Sequence, residues 1–489
     1  MAQDAVVDDF ATRIETRGID LIGDAQRHGR ARDLFAVWAA PNVSILNFTI
    51  GASLILLGLE IWQAIAVILV SSTLWIFPGI VAASGPAAGT SGSVITRAIY
   101  GVIGNRLIVA LVGWLIGSVY LALNWLGSSF LGADLVGRLG MGDALWTPIV
   151  VTLVISAVTV LVAVYGHGLI LKTYGVVSLV LVVIFVVVAA FALPHADFSY
   201  VNPEPLDGVA LWSSLTIGFT LLASSPLSYI NSPDLARYLP RSTRPSHIAA
   251  ATALGGAIPN ILFTAIGVLV ATGVGAAIQT DGIEKALIGI LPGWLGPVLV
   301  IGVVVNTISL NAMTTYTSSM ALQAIGLPIR RVPAAVVVGV IGTALTIVLV
   351  LSTSLLGAVN LILQFVVIVS APTMTVFVVD ALLRRNRYDG VELFDETRTS
   401  RFWYTGGWSV PGIAAVLLGA VITALCLTTE VWTGPIAVAL GYVDLSVPLG
   451  ILTTAVTYLG LSRTRFAGER TERAEQTVRM ERTPEGELR

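Results

Sequence analysis

Apolar residues in this chain come in long, nearly continuous blocks, without the strict alternation of a half-buried strand or the one-sided stripe of a soluble helix. Twelve blocks can be marked, roughly 39–60, 62–83, 107–131, 147–165, 171–193, 209–233, 247–272, 293–322, 332–351, 355–380, 409–428 and 445–462. Each is close to the ~20 residues that a helix needs to cross a ~30 Å hydrocarbon core. Two of the blocks interrupt themselves. Span 1 opens with WAAPNVSILNFTIGA (38–52), and span 6 contains GFTLLASSPLSYINSP (218–233). Freed backbone groups are tolerated at that depth only where protein or a water-filled cavity satisfies them, so a Pro- and Ser-interrupted span marks the interior of a bundle. The pattern predicts an all-α integral membrane fold of 12 transmembrane helices.

Composition agrees with the pattern and adds an orientation. The 489 residues are 55% hydrophobic and 11% charged, against about 25% charge in an ordinary soluble domain; the mean hydropathy is +0.87. Lys and Arg collect in cytoplasmic loops. With the N-terminus inside, only Arg138 and Lys285 of the 27 basic residues fall on the outer side. A miscounted span would scramble so lopsided a distribution. The reading is a multi-pass protein of the plasma membrane with both termini cytoplasmic and the lipid bilayer as its surroundings. It divides into a polar tail (1–35) expected to be a flexible end, a ten-helix core (36–383), a charged cytoplasmic loop (384–408), helices 11–12 (409–462) and a second tail (463–489). The outer connections 194–208 and 273–291 have room for short lid-like helices.

The chemistry that is missing narrows the function. A single cysteine, Cys426, leaves no disulfide framework or thiolate cluster. The four histidines lie in the tail or connections, and there is neither a P-loop nor a nucleophile elbow. No catalytic or cofactor site is expected. An integral-membrane enzyme would need His or carboxylates clustered in the spans, a nucleic-acid partner has no basic patch to bind, and no obligate protein partner is evident. The paired interruptions instead suit a transporter built from two inverted repeats, about 36–193 and 209–383, whose first helices are both broken.

The segment YINSPDLARYLPRSTRPSH (229–247) resembles the Asp-x-x-Arg-Tyr-x-Pro run that closes span 6 in the nucleobase:cation symporter-1 family, in particular its purine and cytosine permease branch. RHGRARDLFAVWAAPN (27–42), GPAAGTSGSVITRAIYGVIGN (85–105), VGWLIGS (112–118), LNAMTTYTSSMALQA (310–324) and APTMTVFVVDALLRRNRY (371–388) are similar to other parts of that family in the same order. The resemblance implies a five-plus-five inverted-repeat core of the leucine-transporter type with two extra helices. It also implies a planar heterocycle bound at mid-membrane and co-transport with Na⁺ or H⁺.

Candidate residues follow from what a flat polar solute needs, namely a stacking face and edge hydrogen bonds in a dry cavity. Trp114 in span 3 matches the family's stacking Trp, with Ser118 one turn on, where relatives often carry an amide. Gly113 and Gly117 beside them also read as a small-xxx-small packing face. Ser224 and Ser225 precede Pro226 at the expected break of span 6, and Phe219 or Tyr229 could supply a second stacking face. Asn311, Thr314 and Gln364 are further polar candidates within spans. No ionisable side chain lies in a span away from its ends, which favours neutral oxygens around a hard cation. The resemblance places Na⁺ between Thr314 and Thr315 of span 8 and the span 1 break near Asn42, Ser44 and Ile45. Thr314 and Thr315 could equally bond their own helix's carbonyls.

The expected protein is therefore a permease importing a nucleobase, cytosine or a purine first, by alternating access with a co-transported cation. The alternatives are the same fold carrying allantoin, hydantoin or a vitamin heterocycle, and a membrane receptor that does not transport. Orientation has a direct check. In a Cys426→Ser background, a membrane-impermeant maleimide should label Ser199→Cys on intact cells and reach Thr399→Cys only after permeabilisation.

Overall fold

In the computed structural model, which describes residues 18–140, 144 and 146–463, nine helices are long and apolar enough to cross a membrane, or ten when the bent pair Asp33–Asn42 and Ile45–Leu56 is taken as one span. The shorter apolar helix Val410–Cys426 and a helix over 446–463 follow as spans 11 and 12. Among the described residues there is no strand beyond two isolated bridges. The protein is an all-helical multi-pass membrane protein. Residues 1–17 of the first expected tail, nearly all of the second (464–489), the side chain of His167 and that of Lys172 lie outside the described residues. From Gly18 onward the first tail is packed, contrary to the expected flexible end. Ile22 is fully buried, Thr90 Oγ1 donates to Ile19 O at 2.6 Å, and Arg237 Nη1 donates to Gly18 O at 2.7 Å. Short helices do occur in the two long connections, at Leu193–His195 and Ile283–Gly289.

Span 1 turns by 56° between its halves. The first half ends at Asn42 because Pro41 lacks an amide hydrogen and Val43 leaves helical geometry. The second begins at Ile45, capped by Ser44, whose Oγ accepts from Leu46 N at 3.0 Å. Span 6 differs from expectation. Its helix Gly208–Ser228 runs straight through Ser224, Ser225 and Pro226, and the interruption comes at Tyr229–Ser232 before a short helix Pro233–Ala236. Proline disturbs the turn before it, but the hydroxyls of that turn bond within the helix. Ser224 Oγ donates to Leu221 O and Ser228 Oγ to Ser224 O, both at 2.6 Å. The restart is set by Pro233 in the first turn, where a missing N–H costs nothing. Ser232 Oγ reaches Pro78 O of span 2 at 2.8 Å, and buried Asp234 accepts from Gly92 N at 2.7 Å.

Glycine sets the spacing of span 1 against span 7. A Cβ at Gly51 would fall 2.0 Å from Thr264 O, and one at Gly267 would fall 2.2 Å from Phe48 O. Each helix thus lays a glycine on the other's backbone, as small residues permit inside membranes. Span 12 is held to span 10 by Asp380, which accepts from Arg384 Nε (2.9 Å), Tyr388 OH (2.8 Å) and Tyr458 OH (2.7 Å). At the opposite end Asp444, in the connection between spans 11 and 12, accepts from Thr220 Oγ1 of span 6 at 3.1 Å and Thr428 N at 3.0 Å; burial pushes its carboxyl above the usual range. Because backbone cannot yield as a flexible side chain does, Gly51→Val should cost at least the ~1–3 kcal/mol of an overpacked core. The expected result is a lower yield of monodisperse protein and an earlier thermal transition in detergent, read by fluorescence-detected size exclusion.

Candidate functional site

A cavity lies where spans 1, 3, 6 and 8 meet, beside the interruption of span 6. Its volume is about 50 Å³. Span 3 presents Gly113, Gly117, Tyr120 and Asn124, which recur at the three- and four-residue steps of one helix face. Span 6 contributes Ser228, Tyr229 and Asn231 at its interruption; span 1 contributes Trp38; span 8 contributes Met313, Thr314, Thr317 and Ser318.

The aromatic wall is built from three rings. Trp38 meets Tyr229 edge to face at 4.9 Å, and Trp75 of span 2 lies behind Tyr229 at 5.5 Å with its plane tilted by 31°. Such contacts fix the orientation of Tyr229. Gly117 lets span 8 come so close that a Cβ there would sit 2.1 Å from Ser318 Oγ. Three residues of the lining each carry a buried polar atom without a partner. Trp38 Nε1, Asn231 Oδ1 and Ser318 Oγ are buried, and none has a hydrogen-bond partner among the described residues. An unpaired buried polar atom is costly. One donor, one acceptor and one hydroxyl, all on residues that line a single cavity, are therefore positioned to be satisfied by a bound solute.

Of the residues expected at or beside the site, Thr314 and Tyr229 line the cavity, and Phe219 packs with the apolar clusters outside the lining. The others take different places. Trp114 is one residue on from Gly113, hence about 100° round the helix, and it packs against Trp125, Leu121 and Leu322 on the far side. Val109–Ile116 is a π-helical stretch, whose wide turn alters the facing of residues around it. Ser118 is buried and donates to Trp114 O at 2.9 Å. Ser224 bonds its own helix, as above, and neither it nor Ser225 lines the cavity. Asn311 accepts from Asn124 Nδ2 and donates to Leu121 O, both at 3.0 Å, so it holds a cavity residue in place from behind. Gln364 is buried in span 10 away from the lining.

The expected cation ligands are also dispersed. Asn42 Nδ2 donates to Trp38 O at 2.8 Å, Ser44 caps the following helix, and Ile45 begins it. Thr314 Oγ1 donates to Leu310 O at 3.1 Å, and Thr315 Oγ1 is buried without a partner. The span 8 residue that touches the break is Asn306, whose Nδ2 donates to Ala40 O at 2.8 Å. Thr314 is eight residues further along, about 12 Å at 1.5 Å per residue. Asn306, Trp38, Tyr120, Asn124 and Ser318 were passed over in the sequence. The 113–117–120–124 periodicity of span 3 could have pointed to Tyr120 and Asn124.

The profile of the family described as permeases for cytosine/purines, uracil, thiamine and allantoin matches residues 21–450. The chain belongs to that family. It is a transporter and not an enzyme, and the resemblance drawn from the 229–247 segment is borne out. YxlA of Bacillus subtilis (strain 168), which is named for the purine-cytosine permeases, is 26% identical over 470 residues, 93% of this chain and 97% of that protein. Among solved structures, Mhp1, a nucleobase-cation-symport-1 family transporter, in its closed conformation with bromovinylhydantoin bound, has a TM-score of 0.72 at 16% identity, covering 92% of this chain and 96% of that one. Its inward-facing conformation has a TM-score of 0.67 at 17% identity over the same shares. A Na⁺-coupled sialic acid symporter has a TM-score of 0.56 at 13% identity, covering 92% and 93%. These likenesses establish the fold.

Stacking of a base on an aromatic ring is worth about 1–3 kcal/mol by alanine substitution. Tyr229→Ala should weaken solute binding by that amount with membrane abundance unchanged. Trp114→Ala should leave affinity within about twofold. Binding isotherms of a labelled solute on the purified variants check both.

Proposed function

We propose that this permease imports a nucleobase, cytosine or a purine first, together with a cation, by alternating access. The observation that carries the reading is the cavity wall. It combines a stacking ring, Tyr229, with three unpaired polar atoms of mixed donor and acceptor character, Trp38 Nε1, Asn231 Oδ1 and Ser318 Oγ. A planar heterocycle with ring N–H, ring nitrogen and carbonyl groups offers a flat face to the ring and complementary edges to such a set. Among the described residues no ionised side chain lines this cavity, which suits a neutral solute.

Access would alternate by movement of one bundle against the other around the cavity, since span 1 and span 6 are interrupted beside it. Thr314 and Asn124 are assigned as further edge contacts, and Tyr120 as a gate residue, its OH 3.2 Å from Ser228 Oγ. The arginine-rich connections face the cytoplasm in this reading, with both tails inside the plasma membrane of the cell. The coupling ion is Na⁺ or H⁺, and no other cofactor, nucleic acid or obligate protein partner is invoked. Allantoin, hydantoin and the vitamin heterocycles present similar edges and are the competing solutes.

Cells lacking their own permeases and expressing this chain should accumulate radiolabelled cytosine, adenine or hypoxanthine saturably, and an uncoupler or removal of the driving ion should abolish accumulation. Competition by unlabelled uracil, allantoin, hydantoin and thiamine would rank the solutes. If none of these compounds were taken up, or if binding occurred without any flux, the import reading would be wrong and the receptor reading would replace it.

A further inference from the structure

Three carbonyls at the interruption of span 1 already have side-chain hydrogen-bond donors, and the donors are asparagine amides. A helix that stops leaves its last carbonyls without amide partners and carries partial negative charge at that end. In a membrane interior such carbonyls are natural ligands for a small cation. Here Trp38 O accepts from Asn42 Nδ2 at 2.8 Å, Ala40 O from Asn306 Nδ2 at 2.8 Å, and Asn42 O from Asn47 Nδ2 at 2.7 Å. Asn42 O would have met Leu46 N in an unbroken helix, but that amide is turned to Ser44 Oγ. Asn260 of span 7 donates through Nδ2 to Asn47 Oδ1 at 3.1 Å. All four asparagines are at least 96% buried, so their hydrogen bonds compete with no bulk water.

We propose that Asn306 occupies the position of a coupling cation at the span 1 break, so that this site binds no Na⁺ and Asn306 itself ties span 1 to span 8. The proposal rests on the transport reading only for its consequence, that import is driven without Na⁺. An amide and a cation cannot both serve Ala40 O from the same side, because Nδ2 at 2.8 Å fills the volume Na⁺ would need. The neighbouring hydroxyls on span 8 are turned to partners away from Ala40 O. Ser309 Oγ donates to its own helix at Val305 O, 3.0 Å away, and Thr307 Oγ1 is engaged by Ser128 of span 3. Asn306 is a positioning residue, acting through the Ala40 carbonyl and not on the solute.

The isosteric change Asn306→Asp reverses the chemistry at one atom. A carboxylate oxygen facing Ala40 O repels it unless a cation or a proton stands between them. The test is thermal unfolding of the purified protein in NaCl and in equimolar choline chloride, a readout that needs no substrate. The wild type should melt at the same temperature in both salts. Asn306→Asp should melt earlier than wild type in choline at neutral pH and recover in NaCl or at acid pH, and Asn306→Ser, which removes the donor and leaves room, should also be stabilised by NaCl. A merely structural role would lower the melting temperature of the variants equally in both salts. Stabilisation of the wild type by Na⁺ over choline, or salt-independent melting of both variants, would overturn the proposal. Uptake in Na⁺-free buffer by the wild type should match uptake in Na⁺ buffer. Absence of uptake in either buffer would count against the transport reading alone, since the melting curves stand without it.

Discussion

The constraint on which this structure depends is that backbone N–H and C=O groups inside a membrane must find partners within the protein. Two spans leave regular geometry within their crossings, and side chains meet several of the groups set free there. The span 1 carbonyls are met by Asn42, Asn47 and Asn306. At the span 6 interruption, Ser232 and Asp234 tie the turn to Pro78 and Gly92. What remains unpaired is then informative. Among the buried polar atoms without a partner, Trp38 Nε1, Asn231 Oδ1 and Ser318 Oγ belong to residues that line one cavity, where a solute would satisfy them.

Packing supplies the rigid part of the same device. Gly51 and Gly267 let spans 1 and 7 touch backbone to backbone, and Gly117 draws span 8 against span 3. Of the two contacts, the second borders the cavity, since Gly117 and Ser318 both line it. Asp380 and Asp444 fasten the last two spans to span 10 and span 6 at opposite ends of the molecule. Each of these carboxylates collects several donors, which compensates the cost of burying it. Gly18 to Ile22 then closes over the arginine-rich end through Arg237 and Thr90.

Much of the fold was legible along the chain, because span length and the asymmetry of Lys and Arg are one-dimensional properties. The four spans that bear the cavity were legible too: 1 and 6 by their interruptions, 3 by its Trp and Gly pattern, 8 by its hydroxyls. Individual residues were less so. Trp114 and Gly113 are neighbours in sequence but point about 100° apart, and a π-helical stretch over Val109–Ile116 disturbs the extrapolation from one turn to the next. Pro226 looked like the break of span 6, yet the serines around it stabilise the turn and move the interruption to Tyr229.

The sequence by itself determined that this is a many-span membrane protein, which family it belongs to and which helices are broken, since hydropathy, charge and local motifs need no knowledge of neighbours. Only the tertiary structure decided which face of each helix meets the cavity, so that Thr314 lines it and Trp114 does not. It also decided that Asn306, 266 residues from Ala40 in the chain, supplies the donor at that break. A helix presents a different residue every 100°, and which of them becomes chemistry depends on what the fold packs against it.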